Sequence, residues 1–252
     1  MANKINKELS IQVNLNGLSF CILNRSNDII EYINTIEFEN KLNPFDTLHK
    51  LKEELASNTI FSDEFSNITI LHYNELSTLV PKPLYDEAHN AEYLKFNTKI
   101  LKTDFIASDD LKSQDIVSVY VPYINVNNYI FETFGTFIYK HVSSVFIDAL
   151  YNTVDTTEDG VYINIEHQSL QVVILKNKCV LLYNYFDFTT PEDFIYYVLF
   201  TYEQKQLDTE TVKLKLFGSL SKEDDLFAIA YKYIRHVELN ADAENFLIKH
   251  SF

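Results

Sequence analysis

The feature that most constrains this chain is an order of elements that occurs twice. In the first half, Leu9, Ile11, Val13 and Leu15 alternate with Ser10, Gln12 and Asn14, the period of a half-buried strand. Asn16-Gly17 is a hairpin signal, and Leu18, Phe20 and Ile22 continue as a second strand. Asn27-Asp28 turns the chain into a third strand, Ile29 to Phe38. Asn43-Pro44-Phe45-Asp46 then opens a helix, with Asn43 as N-cap and Pro44 at the first helical position. Leu48, Leu51 and Leu55 form its apolar stripe. Ile68 to Tyr73 reads as the next strand.

The second half follows the same course. Val161, Ile163 and Ile165 alternate with Tyr162, Asn164 and Glu166, and Leu170, Val172 and Ile174 supply the second strand of a hairpin. Asn177-Lys178 leads into Cys179 to Phe188. Thr190-Pro191-Glu192-Asp193 starts a helix with the same grammar of cap, proline, any residue, aspartate. Phe194, Ile195, Val198, Leu199 and Tyr202 line its buried side, and Thr211 to Phe217 is the following strand. The first strands open at residues 9 and 161, an offset of 152; the helix prolines differ by 147, and the strands after the helices, opening at 67 and 211, by 144. Small loop deletions after a duplication produce such a drift.

Each half is thus β-β-β-α-β followed by helical material. The first half adds a helix over Asp86 to Phe96, a strand over Ile116 to Tyr123, and a helix over Asn125 to Phe134 that Gly135 stops. A strand over Thr136 to His141 and a helix over Ser144 to Tyr151 complete it. In the second half, Ser221-Lys222-Glu223-Asp224 caps a helix carrying Leu226, Phe227, Ala230, Tyr231 and Ile234. The polar stretch Asn152 to Gly160 marks the boundary. The expected subdomains are residues 8–152 and 160–250, joined by a linker at 153–159.

Composition narrows the function. Only four of 252 residues are glycine, where an average chain would have about 18. Gly17, Gly135, Gly160 and Gly218 cannot build an intact P-loop or a G-x-G-x-x-G loop, whose backbone must approach phosphate closely. The net charge is −15, and the arginines are Arg25 and Arg235. Nucleic-acid binding, which neutralises phosphates with Lys and Arg, is not expected. The longest apolar run, Phe194 to Phe200, is too short to insert in a membrane. Met1 to Ser10 has no apolar core of a signal peptide, so the protein is expected in the cytoplasm. Cys21 and Cys179 lie in apolar runs and read as buried free thiols.

Two β-β-β-α-β-α halves in tandem resemble the actin-like ATPase fold, which is ribonuclease H-like and shared by actin, sugar kinases and heat-shock chaperones. Val117 to Tyr151 is similar to the actin-like proteins of type IV pilus assembly. Over residues 8 to 250 the chain resembles an uncharacterised Bacteroidetes family, a domain of unknown function assigned to this fold. The resemblance rests on element order and hydrophobic pattern, and it implies where a nucleotide would sit. In active members the first hairpin carries Asp-x-Gly, the aspartate holding Mg²⁺. Here it reads Asn14-Leu15-Asn16-Gly17-Leu18-Ser19, with the glycine approximately in place, Ser19 as a hydroxyl and no aspartate. An amide is a poor magnesium ligand beside a carboxylate. The second hairpin reads Asn164-Ile165-Glu166-His167-Gln168-Ser169, without glycine and with Glu166 as its carboxylate. The adenosine-side Gly-Gly-Ser is reduced to Gly218-Ser219.

The candidate nucleotide residues implied by the resemblance are therefore Asn14, Asn16, Gly17, Ser19, Asn164, Glu166, Gly218 and Ser219. Three degenerate motifs argue for an ancestral nucleotide cleft that has lost ATP hydrolysis. The simpler reading of Gly17 and Gly218 is that they are turn residues. No catalytic residue, metal or cofactor is expected; retained ATP or Mg²⁺ binding, or a slow ATPase, is the alternative.

Other signals are weaker. Asp86-Glu87-Ala88-His89 spells a helicase box but has no phosphate loop before it. Asp86, His89 and Glu92 read as a solvated helix face rather than a metal site. The acidic pairs Asp109-Asp110 and Glu158-Asp159, and the run Glu223 to Asp225, are expected in loops or at helix starts. The histidines are scattered, with no His-x-x-x-His pair. The chain has 17 Tyr and 19 Phe. Tyr183, Tyr185, Tyr196 and Tyr197 cluster on one strand and the next helix, and tyrosine is favoured at interfaces. A protein partner or a homodimer is expected, and the reading as a whole is of a non-catalytic interaction or scaffold protein.

Overall fold

The computed structural model describes residues 6–111, 114–156 and 159–252. They form two compact units: Met1–Asp110 with Ile116–Val145 and Leu247–Phe252, and Leu111–Asp115 with Phe146–Phe246.

The first unit opens with β1 (Lys7–Asn14), β2 (Gly17–Asn24), β3 (Ile29–Glu37), α1 (Pro44–Ser57) and β4 (Asn67–His72). After β5 (Ser77–Pro81), α2 (Asn90–Lys95), β6 (Ala107–Leu111) and β7 (Ile116–Tyr120) come α3 (Ile124–Phe134) and β8 (Ile138–His141). Helix α4 (Val142–Thr153) runs from β8 into the residues of the second unit. That unit has β9 (Gly160–Glu166), β10 (Ser169–Lys176), β11 (Cys179–Asp187), α5 (Pro191–Gln204), β12 (Lys213–Gly218), α6 (Asp225–Tyr233) and β13 (Val237–Leu239), and α7 (Phe246–Lys249) follows.

The two main sheets have one topology. Their strand orders are β3-β2-β1-β4-β8 and β11-β10-β9-β12-β13. The hairpins are antiparallel, and β1–β4 and β9–β12 pair in parallel after a helical crossover. Leu9, Ile11, Val13, Leu18, Phe20 and Ile22 fill the first core. Their counterparts 152 residues on, from Val161 to Ile174, fill the second. An irregularity is shared as well. The β2–β3 ladder shifts register between Ile22 and Leu23, and the β10–β11 ladder shifts between Ile174 and Leu175, again 152 residues on.

The cap-proline-x-aspartate grammar has a physical cause at both helix starts. Asn43 Oδ1 accepts from the amides of Phe45 and Asp46 at 3.0 Å each, and its side-chain amide donates to Asp46 Oδ2 at 2.6 Å. Thr190 and Asp193 form a reciprocal capping box, Asp193 N donating to Thr190 Oγ1 at 3.1 Å and Thr190 N to Asp193 Oδ2 at 3.0 Å. Each such cap is worth about 1 kcal/mol.

Several expectations are corrected. Strand β1 is not half-buried: Ser10, Gln12 and Asn14 are as buried as the apolar residues between them. Ser10 is covered by the chain's last turn, where Ser251 Oγ donates to Ser10 Oγ at 2.6 Å. The helix expected over Asp86 to Phe96 is divided, because Asp86 caps a short 3₁₀ turn, Glu87–His89, before α2 begins. Helix α6 has Asp224, not Ser221, as its N-cap, and the Asp224 carboxylate reaches back to the Ser221 amide. Asp109 lies in strand β6 rather than in a loop. Cys21 is buried, but Cys179 is exposed, since it opens the outer strand β11 directly after a turn at Asn177 and Lys178. Glu158 lies outside the described residues.

Candidate functional site

Hairpin β1–β2 brings Asn14, Asn16 and Gly17 together. Asn14 pairs with Gly17 across a turn at Leu15 and Asn16, and none of these residues has a positive φ, so Asn16-Gly17 is not a turn of the kind that demands glycine. The buried Asn14 side chain is spent on the fold. Its Oδ1 accepts from the Asn16 amide at 2.7 Å, and its Nδ2 donates to the carbonyl of Tyr73, just past β4, at 3.3 Å. The turn carbonyls are used too: Asn16 O accepts from Phe38 N at 2.8 Å and Leu15 O from Leu42 N at 2.7 Å. Ser19 stands apart from the turn, accepting from Thr35 Oγ1 at 3.1 Å.

In the second unit, Asn164, Glu166 and Gly218 come together, because Gly218 ends β12 beside Ile165 of β9. Gly218 has φ +116°, and a Cβ there would stand 2.1 Å from the Ile165 carbonyl oxygen. Close backbone packing therefore requires glycine at this place. Ser219 follows it on the exposed surface. The β9–β10 turn consists of His167 and Gln168, both at positive φ (52° and 58°), the geometry of a tight hairpin built without glycine. His167 is buried, and burial pushes its imidazole down to about 4. Ser169 Oγ donates to the Glu166 carbonyl at 2.8 Å. Asn164 is fully buried, and neither Oδ1 nor Nδ2 has a hydrogen-bond partner among the described residues.

The repeat places His72 where the second unit has Gly218. Each ends the strand parallel to the first hairpin strand, His72 beside Val13 and Gly218 beside Ile165. In the first unit this position anchors a buried polar network that sequence reasoning missed. His72 and His141 are register partners across β4 and β8. His72 Nδ1 accepts from the Tyr123 amide at 3.2 Å, so Nε2 carries the hydrogen and donates to Asn127 Oδ1 at 3.0 Å. His141 Nδ1 likewise accepts from the Ser143 amide at 3.1 Å, and its Nε2 donates to the Asn74 carbonyl at 3.1 Å. Burial pushes both imidazoles down to about 3, so both are neutral at pH 7.

Asp109 completes the network. Its carboxylate accepts from the His141 amide at 2.8 Å, Ser144 Oγ at 2.7 Å and Tyr120 Oη at 3.0 Å. It therefore sits at the N-terminus of α4, where a negative charge is favoured. Burial still raises its pKa, and the same burial raises that of Tyr120. A serine, a histidine and an aspartate are neighbours here, but Asp109 meets the backbone of His141 and not its ring. The ring's outer nitrogen is committed to a carbonyl, so the group ties strand ends together and has no nucleophilic chemistry. The sequence signal was slight: each histidine is the last residue of a short strand.

No group of three His, Cys, Asp or Glu side chains suited to a metal occurs among the described residues, Asp86, His89 and Glu92 included. No helix among them is long and apolar enough to cross a membrane. On α5, Tyr196 and Phe200 stack with ring centroids 6.1 Å apart and are 61% and 39% exposed; on the adjoining α6, Tyr231 is 64% exposed.

Comparison with known proteins agrees with this architecture. A Bacteroides thetaiotaomicron protein of actin-like ATPase fold and unknown function is similar over 97% of this chain and 95% of its own, with 20% identity and a TM-score of 0.84. The PilM-PilN type IV pilus biogenesis complex matches over 94% of this chain and 90% of that one, with 12% identity and a TM-score of 0.58. The cytoplasmic domain of EpsL, an inner membrane component of the Vibrio cholerae type II secretion system, covers 97% and 93%, with 10% identity and a TM-score of 0.51. No curated protein matches the chain. The fold is that of the actin-like ATPases. A family model, DUF3822, protein of unknown function, matches residues 1–237, and the chain belongs to that family.

Proposed function

We propose that this chain is a non-hydrolysing actin-like protein that works in the cytoplasm as a protein-interaction or scaffold module. The observation that carries the reading is Asn14. The resemblance implies a magnesium-holding aspartate in the first hairpin; the hairpin has none, and the amide of Asn14 there has its oxygen and nitrogen both engaged within the first unit, at 2.7 and 3.3 Å. The turn amide of Asn16, a natural phosphate donor, is the one that Asn14 occupies. The exposed aromatics of α5 and α6 support a protein partner or a homodimer, since tyrosine and phenylalanine give large contact area with little entropy loss. PilM, of similar fold, is described in complex with PilN.

The test is thermal unfolding with millimolar ATP or ADP and Mg²⁺. A site occupied a hundredfold above its Kd would add about 2.7 kcal/mol of stability. No shift is expected. A shift of several degrees, with magnesium-dependent turnover that Glu166→Gln abolishes, would overturn the reading.

Asn164 favours a second reading, a nucleotide-binding protein or slow ATPase. A fully buried carboxamide without a partner among the described residues, next to Glu166 and Gly218, is costly unless something meets it. The same nucleotide titration separates the two readings.

A further inference from the structure

The first unit carries a groove of about 630 Å³ between the end of β3 and one flank of α1. Its floor is apolar, made by Leu18, Ile36, Phe38 and Leu42. Its helical wall is Lys50, Glu53, Glu54 and Ser57, spaced so that they form one stripe of α1. Glu37 and Glu39 supply the opposite rim. Lys50 is the single cation of this lining, and Glu53 engages it at 2.9 Å. The groove is preformed, because the loop that floors it is tied to the β1–β2 turn by the Phe38 and Leu42 amides.

Two further facts say what fits. Strand β3 is the outermost of its sheet, so one row of its backbone groups faces no other strand among the described residues. Ile36 and Phe38 of that edge pack on the core under α1. A strand added beside β3 would lie about 4.8 Å beyond it and point every second side chain to the α1 side, into the groove. A second copy of this chain, itself at −15, would bring like charge to an acidic rim.

We propose that this groove binds a segment of a protein partner as an added strand on β3, an extended stretch whose groove-facing positions, every second residue, are in turn aliphatic and lysine or arginine. Apolar side chains cover Ile36 and Phe38, and cations meet the glutamates. The inference rests on the interaction-module reading and names the partner's recognised chemistry.

The experiment uses the whole chain and three short synthetic peptides: one repeating valine-serine-lysine-serine, its counterpart with glutamate for lysine, and the valine-serine-lysine composition with its lysines in one block. Affinity is read by fluorescence anisotropy, and the site by hydrogen exchange. The repeating basic peptide should bind, protect the β3 amides, and weaken at least about tenfold when Glu53→Lys and Glu54→Lys are combined. Glu39→Lys, which lies outside helix and strand, should weaken it in the same direction without touching α1. Equal binding by the blocked peptide, binding that leaves β3 unprotected, or binding indifferent to both charge reversals would overturn the proposal. So would no binding at all. If a partner is then found that ignores these substitutions, the scaffold reading stands and this surface falls. If magnesium nucleotide stabilises the chain and is turned over, the scaffold reading falls by its own test, whatever the peptides do.

Discussion

Gly218 and Ile165 lie so close that a single added carbon on Gly218 would stand 2.1 Å from the Ile165 carbonyl oxygen. The obstacle is backbone, which cannot rotate away, and φ there is +116°. Gly218→Ala is expected to cost about 3 kcal/mol. Urea unfolding followed by far-UV circular dichroism would measure it, the chain having no tryptophan. A change below about 1 kcal/mol would mean that the two strands separate easily and that Gly218 is kept for another reason.

Asn14→Asp restores the carboxylate that a magnesium site would want, and should harm the protein. The Asn14 Nδ2 that donates to the Tyr73 carbonyl becomes a second acceptor facing an acceptor. About 2 kcal/mol is expected to be lost at pH 7. The introduced carboxyl would be raised above its unfolded pKa, so the loss should shrink as pH falls below that folded value. Stabilisation by Mg²⁺ in this variant would count against the decay of the site.

Acid should unfold the first unit through its histidines. His72 and His141 are pushed down to about 3 when folded, so between there and the ordinary value near 6.5 the unfolded chain binds more protons. Their contribution is complete above about pH 6.5 and is lost as pH falls toward 3. The slope should approach about 1.4 kcal/mol per pH unit for each histidine. Asp109, raised by burial, works the other way just above the ordinary carboxylate range. Urea midpoints from pH 7 to 5 would show the histidine slope, and His72→Gln should flatten it.

The two thiols should behave oppositely. Cys179 is exposed, whereas Cys21 is buried and pushed up to about 12. A native chain should give one fast-reacting thiol with a disulfide reagent and a second only on unfolding. Cys179→Ser should remove the fast one.

Much of the fold was legible because strand alternation, proline at a helix start and an aspartate at N3 are local signals with local causes. Asn43, Pro44, Thr190 and Asp193 report their own geometry. What could not be read depends on what covers a face. Ser10, Gln12 and Asn14 look solvent-facing in sequence because alternation records polarity, not burial. Asp109, in an acidic pair, looks like a surface residue until His141, Ser144 and Tyr120 are brought to it from distant segments. The short strands β5, β6 and β13 escaped notice because they hold few apolar residues or are too brief to show a period. The candidate nucleotide residues could be located by element order, but their present partners belong to tertiary structure.

The matching register shifts after Ile22 and Ile174 bear on ancestry. A regular hairpin needs no such kink, so two copies with the same flaw at the same offset are most simply heirs of one flawed parent. The bulge, with the bend and twist it gives the outer strand, is then older than the duplication. Both descendants inherited a crooked margin, which discourages indiscriminate pairing of edge with edge and leaves the edge to be matched only by a segment that follows its curve.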